Sequence, residues 1–321
     1  MHHICCLGKT DHYTTAWLLQ NYNMKKINLS ENGPEVSPLI YSFWRAMEDK
    51  DGVTYESILG KLDACLELGI NTFDHADVYG NYRVEKLFGK ALKESRVKRE
   101  EIVISTKCGI NNVDQLRPAY RTRHYDSSSE YIRSSVEKSL ENLGTDYLDI
   151  LLLHHPDPLM DADDTASELT KLVNKGLVKY IGVANFTVHQ HRLLQSRLSI
   201  PIITNHLELN VMNTSAIKDG TLDFIKEHYS KPLAWSPLAG GRLVDENDAA
   251  TYNVRNTLKK LAANYNCNEE QIAIAWLLRL GALPILGTNS ISRIKNAASA
   301  VTIELDKQDW HEIYFSGLAT N

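Results

Sequence analysis

The sequence predicts an α/β protein built as a (β/α)8 TIM barrel with an N-terminal β-hairpin. Three observations lead there. Short apolar segments alternate with amphipathic stretches along the chain, and eight such segments can be counted. Several of them end in an ionisable residue, as the buried strands around an α/β active site do. The chain has 321 residues, an ordinary size for one barrel, and it lacks the Gly-x-Gly-x-x-Gly fingerprint that a doubly wound dinucleotide fold would place after an early strand.

The elements follow in order. Residues 1–23 hold His2-His3 and Cys5-Cys6 in a polar tract without periodicity and are expected to be an unstructured leader or extension. Met24-Lys25-Lys26-Ile27 opens the fold, and 24–321 is expected to form a single domain. Residues 27–39, with Asn32-Gly33-Pro34 in the middle, read as a hairpin. A first inner strand at 39–43 precedes a helix over 54–68 whose Ile58, Leu59, Leu62, Cys65 and Leu66 share a face, with Gly69 past its end. Strand 71–74, helix 83–94 and strand 102–107 follow. Helix 127–143 carries Ser127 and Glu130 at capping-box spacing and Gly144 as terminator. The alternation continues with strands at 147–153, 178–183, 201–205, 232–235 and 283–286. Helices are expected at 164–175, 187–198, 221–229, 254–265, 269–280 and 290–300.

Composition narrows the function. A hydrophobic content of 43% and a charged content of 23% suit a soluble globular protein. A net charge of -5 gives no electrostatic case for nucleic acid or an anionic membrane, and no apolar run is long enough to span a bilayer. The five cysteines are scattered, with no CxxC and no zinc spacing, so a reduced, cytoplasmic setting is expected and no metal site. The Arg117, Arg121, Arg123 and His124 stretch reads as a solvated loop at the mouth of the barrel.

Four residues carry the chemistry. Asp74 and Tyr79 lie in Phe73-Asp74-His75-Ala76-Asp77-Val78-Tyr79-Gly80, Lys107 ends Ile102-Val103-Ile104-Ser105-Thr106-Lys107, and His154 ends Leu148-Asp149-Ile150-Leu151-Leu152-Leu153-His154. A tyrosine beside a lysine and a carboxylate makes a tuned proton donor, since an ammonium stabilises tyrosinate and lowers the phenol's pKa. His75 beside Asp74 invites a metal reading, but His154 and His155 are consecutive and would point to opposite faces of a strand. Cys108, next to Lys107, reads as a packed thiol.

Further motifs are Ser105-Thr106-Lys107-Cys108-Gly109, Leu153-His154-His155-Pro156-Asp157-Pro158, Gly182-Val183-Ala184-Asn185-Phe186, Ala234-Trp235-Ser236-Pro237-Leu238-Ala239-Gly240-Gly241-Arg242 and Gly287-Thr288. Together, in this order, they resemble the aldo-keto reductase superfamily, most closely its bacterial YdhF-like oxidoreductase subgroup, over about Gly33 to Leu318. The resemblance implies a catalytic tetrad of Asp74, Tyr79, Lys107 and His154, with Tyr79 as general acid. It implies NADPH as cofactor, with Asn185 on the nicotinamide carboxamide and Trp235 stacked on the nicotinamide ring. Ser236, Pro237, Leu238 and Gly240, in a segment running to Arg242, match a loop along the pyrophosphate. Gly287, Thr288 and Arg293 match the segment at the 2′-phosphate, and Trp44 and Arg45 a loop near nicotinamide and substrate. The chain departs from the family at Ala184, where serine is common, and at His206, where glutamine is usual. Trp235 replaces the commoner tyrosine. The implied activity is NADPH-dependent reduction of small aldehydes or ketones by a monomer or weak homo-oligomer. The alternative is a non-catalytic NADP(H)-binding regulatory barrel resembling channel β-subunits.

Overall fold

Eight parallel strands close into a barrel. The computed structural model describes residues 24–114 and 119–318, so the expected leader at 1–23 and Arg117 lie outside the described residues. The barrel strands are β3 (Ile40–Ser42), β4 (Thr72–Asp74), β5 (Val103–Cys108), β8 (Leu148–Leu153), β9 (Val178–Ala184), β10 (Ile202–Glu208), β11 (Leu233–Trp235) and β12 (Leu283–Leu286), and β12 pairs back onto β3 to close the ring. The N-terminal hairpin pairs β1 (Ile27–Asn28) with β2 (Glu35–Val36). Its Leu29 and Val36 pack into one cluster with Ile40, Val103, Ile150, Ile203, Leu233 and Leu283 of the barrel strands, so the hairpin plugs the N-terminal end of the barrel.

Helices cover the outside: α1 (Tyr55–Glu67), α2 (Val84–Glu94), α3 (Ser129–Leu143), α4 (Ala162–Asn174), α5 (Val188–Gln195), α6 (Ser215–Lys218), α7 (Thr221–Glu227), α8 (Tyr252–Asn264), α9 (Glu269–Leu280), α10 (Ile291–Ser299) and α11 (Lys307–Leu318). Local chemistry sets their ends. Thr54 accepts from the Ser57 amide to start α1, and Gly144 takes a left-handed φ of 64° to end α3.

The capping box expected at Ser127 and Glu130 is not formed. Ser128 caps α3 by accepting from the Tyr131 amide. Ser127 is drawn away because its amide and hydroxyl both donate to the Asp157 carboxylate at 3.2 Å, and Thr165 donates to its carbonyl at 2.7 Å. The tract between β5 and α3 is not all loop. It contains an antiparallel ribbon, β6 (Ile110–Asn111) against β7 (His124–Tyr125). The final helix, α11, is not among the expected elements; its Trp310 stacks on Trp276 of α9 at 5.0 Å, and each indole donates to the other residue's carbonyl. No helix among the described residues is long and apolar enough to cross a membrane.

Candidate active site

All eight barrel strands deliver a side chain or backbone to one cleft at their C-terminal ends, or fix one there. Ser42 ends β3, Asp74 ends β4, Lys107 lies near the end of β5, and His154 follows β8. Asn185 follows β9, His206 lies on β10, Trp235 ends β11, and Gly287 follows β12. Strand register explains the convergence. Asp74 pairs with Ser42 on one side and Ser105 on the other, so Lys107, two residues past Ser105, shares the face of Asp74.

The buried centre is an ion pair. Lys107 Nζ donates to Asp74 Oδ1 at 2.6 Å, to the His75 carbonyl at 2.8 Å and to the Tyr79 hydroxyl at 3.0 Å. Ser42 donates to Asp74 Oδ2 at 2.9 Å, and Tyr79 lies 3.3 Å from the same oxygen. Lys107 and Asp74 are buried, whereas Tyr79 is only half-buried and lines the cleft. Burial draws the Lys107 pKa down, and the Asp74, Asp77 and Glu85 carboxylates oppose this.

The phenol does not behave as the sequence suggested. Burial raises the Tyr79 pKa well above its ordinary value, the Asp74 carboxylate adds to the rise, and a hydroxyl contact from Ser42 opposes it. Burial first, and then the Asp74 carboxylate, outweigh the expected lowering by Lys107. The Tyr79 hydroxyl is therefore held protonated.

The histidines lining the cleft are held neutral by their surroundings. His154 lies well below the ordinary imidazole value through burial, then through Lys107, His155 and His206. His206 is lowered by burial and by Lys107. His154 and His155 stack at 5.5 Å and both line the cleft, so the expectation that they face opposite sides does not hold: β8 stops at Leu153 and strand alternation stops with it. Tyr125 of the β7 ribbon stacks on His155, bringing that ribbon to the mouth. His75 is buried between Phe43 and Phe88, with burial pulling its pKa to about 3, which makes it a packed imidazole. Among the described residues no cluster of three or more His, Cys, Asp or Glu could hold a metal ion. Cys108 is buried and its thiol is pushed up by that burial, as a packed thiol should be.

A second cleft continues from the first, sharing Trp44, Ser236 and Gly287 with it. It is also lined by Arg45, Pro237, Leu238, Gly240, Gly241, Glu270, Thr288 and Arg293. Asn185 and Ser236 both hold positive φ, 62° and 51°, at the junction. Such strain in non-glycine residues collects at functional sites. A Cβ on Gly287 would come within 2.6 Å of the Trp44 indole nitrogen, so a side chain there would have to displace that ring. Gly240 and Gly241, at φ 72° and 102°, bend the wall into a short open loop.

The features suit a dinucleotide. His206 Nε2 is buried without a partner and belongs to a residue that lines the cleft. The Asn185 amide donates to the His154 carbonyl at 3.2 Å, and its oxygen accepts from Trp235 Nε1 at 3.1 Å. Arg242 stands apart: its guanidinium pairs with Asp248 at 2.6 Å, and it lines neither cleft. Ser42 and Glu270 were missed by sequence reasoning. Ser42 ends an apolar strand as Asp74 does, a signal that could have found it; Glu270, in the first turn of an ordinary helix, gave none.

The sequence profile of the Aldo/keto reductase family matches residues 38–314. This chain belongs to that family. It is 40% identical over 293 residues to a 6-dehydroglucose reductase of Agrobacterium fabrum, covering 91% of this chain and 97% of the relative. It is 39% identical over 293 residues to the oxidoreductase YdhF of Escherichia coli, covering 90% and 96%. A crystal structure of the thermostable aldo-keto reductase Tm1743 in complex with epalrestat superposes with a TM-score of 0.78 at 25% identity, covering 91% of this chain and all of that one. This aldo/keto reductase thus carries the YdhF-like subgroup's sequence on the family barrel.

Proposed function

We propose that this aldo/keto reductase is an NADPH-dependent reductase of small aldehydes or ketones, with Tyr79 as the proton donor. The observation that carries the reading is the buried Lys107 ammonium, 2.6 Å from Asp74 and 3.0 Å from the hydroxyl of Tyr79, which lines the cleft. Bound NADPH would supply hydride to the carbonyl carbon. Tyr79 gives its hydroxyl proton to the carbonyl oxygen. Lys107 donates to the tyrosinate left behind and stabilises it, and Asp74 and the His75 carbonyl hold Lys107 in place. His154, neutral, offers a hydrogen bond that orients the carbonyl oxygen. Trp235, with Asn185 and His206, would form the bed for the nicotinamide, Ser236 to Gly240 would flank the pyrophosphate, and Thr288 and Arg293 would receive the 2′-phosphate.

Two relatives, 40% and 31% identical, are named 6-dehydroglucose reductases, so a sugar aldehyde of that kind belongs in the first substrate panel beside aromatic aldehydes and α-dicarbonyls. The test is Tyr79→Phe. NADPH oxidation with the best carbonyl should fall by roughly 10²- to 10⁴-fold, the usual contribution of a positioned acid, while NADPH binding persists. Near wild-type turnover in the variant would remove Tyr79 from the role. Binding of NADPH by the wild type without turnover of any carbonyl would favour a regulatory barrel.

A further inference from the structure

The second cleft contains an ion pair whose carboxylate has no part in the proposed reduction. Arg293, on the first turn of α10, is gripped from the side by Glu270, on the first turn of α9. Nη2 lies 2.9 Å from Oε1, and Nε lies 3.3 Å from Oε2, so both carboxylate oxygens are engaged by one edge of the guanidinium. Both residues line the cleft beside Thr288, Gly240 and Gly241. The arginine is 42% exposed and the glutamate 18%, which leaves the carboxylate the more enclosed partner.

We propose that Glu270 is a cofactor-discriminating residue that narrows the preference for NADPH over NADH. The inference rests on reading this cleft as the adenosine end of a dinucleotide site. A 2′-phosphate needs the same guanidinium that Glu270 already holds. Its arrival puts two anions on one cation, and either the carboxylate swings away, losing its pair, or it stays and repels the phosphate. A 2′-hydroxyl has the opposite relation to Glu270: it is a donor, and the carboxylate is an acceptor. The same side chain therefore works against one cofactor and can assist the other, which is how selectivity arises from an unfavourable contact as well as a favourable one.

Titration of NADPH and NADH into the full chain, followed by quenching of its tryptophans, tests this directly, since Trp44 and Trp235 line the cleft. Glu270→Gln keeps the shape and removes the charge. The Kd for NADPH should fall roughly three- to tenfold, the range expected for relief of one partly screened charge contact. The Kd for NADH should stay the same or rise. Glu270→Ala should change the ratio in the same direction, and Arg293→Ala should bring the two constants together. An unchanged ratio in Glu270→Gln, or weaker NADPH binding because the glutamate aligns Arg293 for the phosphate, overturns the proposal. A wild-type chain that binds neither cofactor defeats the dinucleotide reading itself, and this inference with it.

Discussion

Glu85 brings a carboxyl into the wall behind Lys107, and hydroxyls bond it there. Thr106 donates at 2.7 Å and Ser139 at 3.1 Å. Burial lifts its pKa from 4.5 to about 7, with Asp77 adding to the rise and the two hydroxyls opposing it. Between those values the native state binds more protons than the unfolded chain, so this residue makes stability fall as pH rises from about 4.5 to about 7. Glu85→Gln cannot ionise and should remove that slope, by an amount of at most roughly 3 kcal/mol. The buried histidines contribute an opposite slope, losing stability as pH falls through the ordinary imidazole range, but they are common to both proteins and cancel in the difference. Urea unfolding of wild type and variant from pH 5 to 8 reads the effect. Parallel curves would show that Glu85 titrates normally. Asp74, Lys107 and His154 were legible as polar ends of apolar runs and Tyr79 as a polar group on the loop after one, whereas the upward shift of Tyr79 depends on the burial of its hydroxyl and on the neighbouring Asp74 carboxylate.

Helix α2 follows the turn that carries Tyr79, and it holds Glu85 against Thr106 of β5. Its seat against α3 depends on Gly89, where an added Cβ would come within 2.1 Å of the Asn142 carbonyl oxygen at the end of α3. Gly89→Ala raises helix propensity by about 1 kcal/mol in isolation. The clash is with backbone, which cannot rotate aside, so the two helices must separate, and overpacking of this kind costs roughly 1–3 kcal/mol. The net effect should be lower stability and a displaced Tyr79 turn, seen as a lower unfolding midpoint together with reduced turnover. A variant as stable as wild type would mean that α2 and α3 can shift apart freely. At this scale the helices with clear apolar faces and caps were predictable, including α9 at its observed bounds. The β6–β7 ribbon and α11 were not: the ribbon's two-residue strands are held by stacking on His155, and α11 has only a brief Trp310, Ile313 and Tyr314 stripe, seated by stacking on Trp276.

Across the whole barrel, the two clefts join strand ends β3, β4, β11 and β12 with helices α9 and α10. A ligand lying along them ties together elements far apart in sequence and binds only the folded chain. At a concentration near a hundred times its Kd, NADPH should add about 2.7 kcal/mol of stability. Thermal unfolding should move up by several degrees, and by less with NADH at the same concentration. A melting temperature indifferent to both would contradict the dinucleotide reading.

The order of strands and helices, the closure into eight, the polar strand-end residues Asp74, Lys107 and His154 and the loop position of Tyr79 were determined by the sequence alone. Period and end chemistry are local properties, and local properties are written in consecutive residues. Only the tertiary structure decided which groups meet across the barrel. It set Ser42 on Asp74, Glu270 on Arg293, Arg242 on Asp248 instead of the cleft, and Ser127 on Asp157 instead of a helix cap. Each partner lies on a different element, and the distance between them follows from barrel register and helix packing, which no stretch of neighbouring residues records.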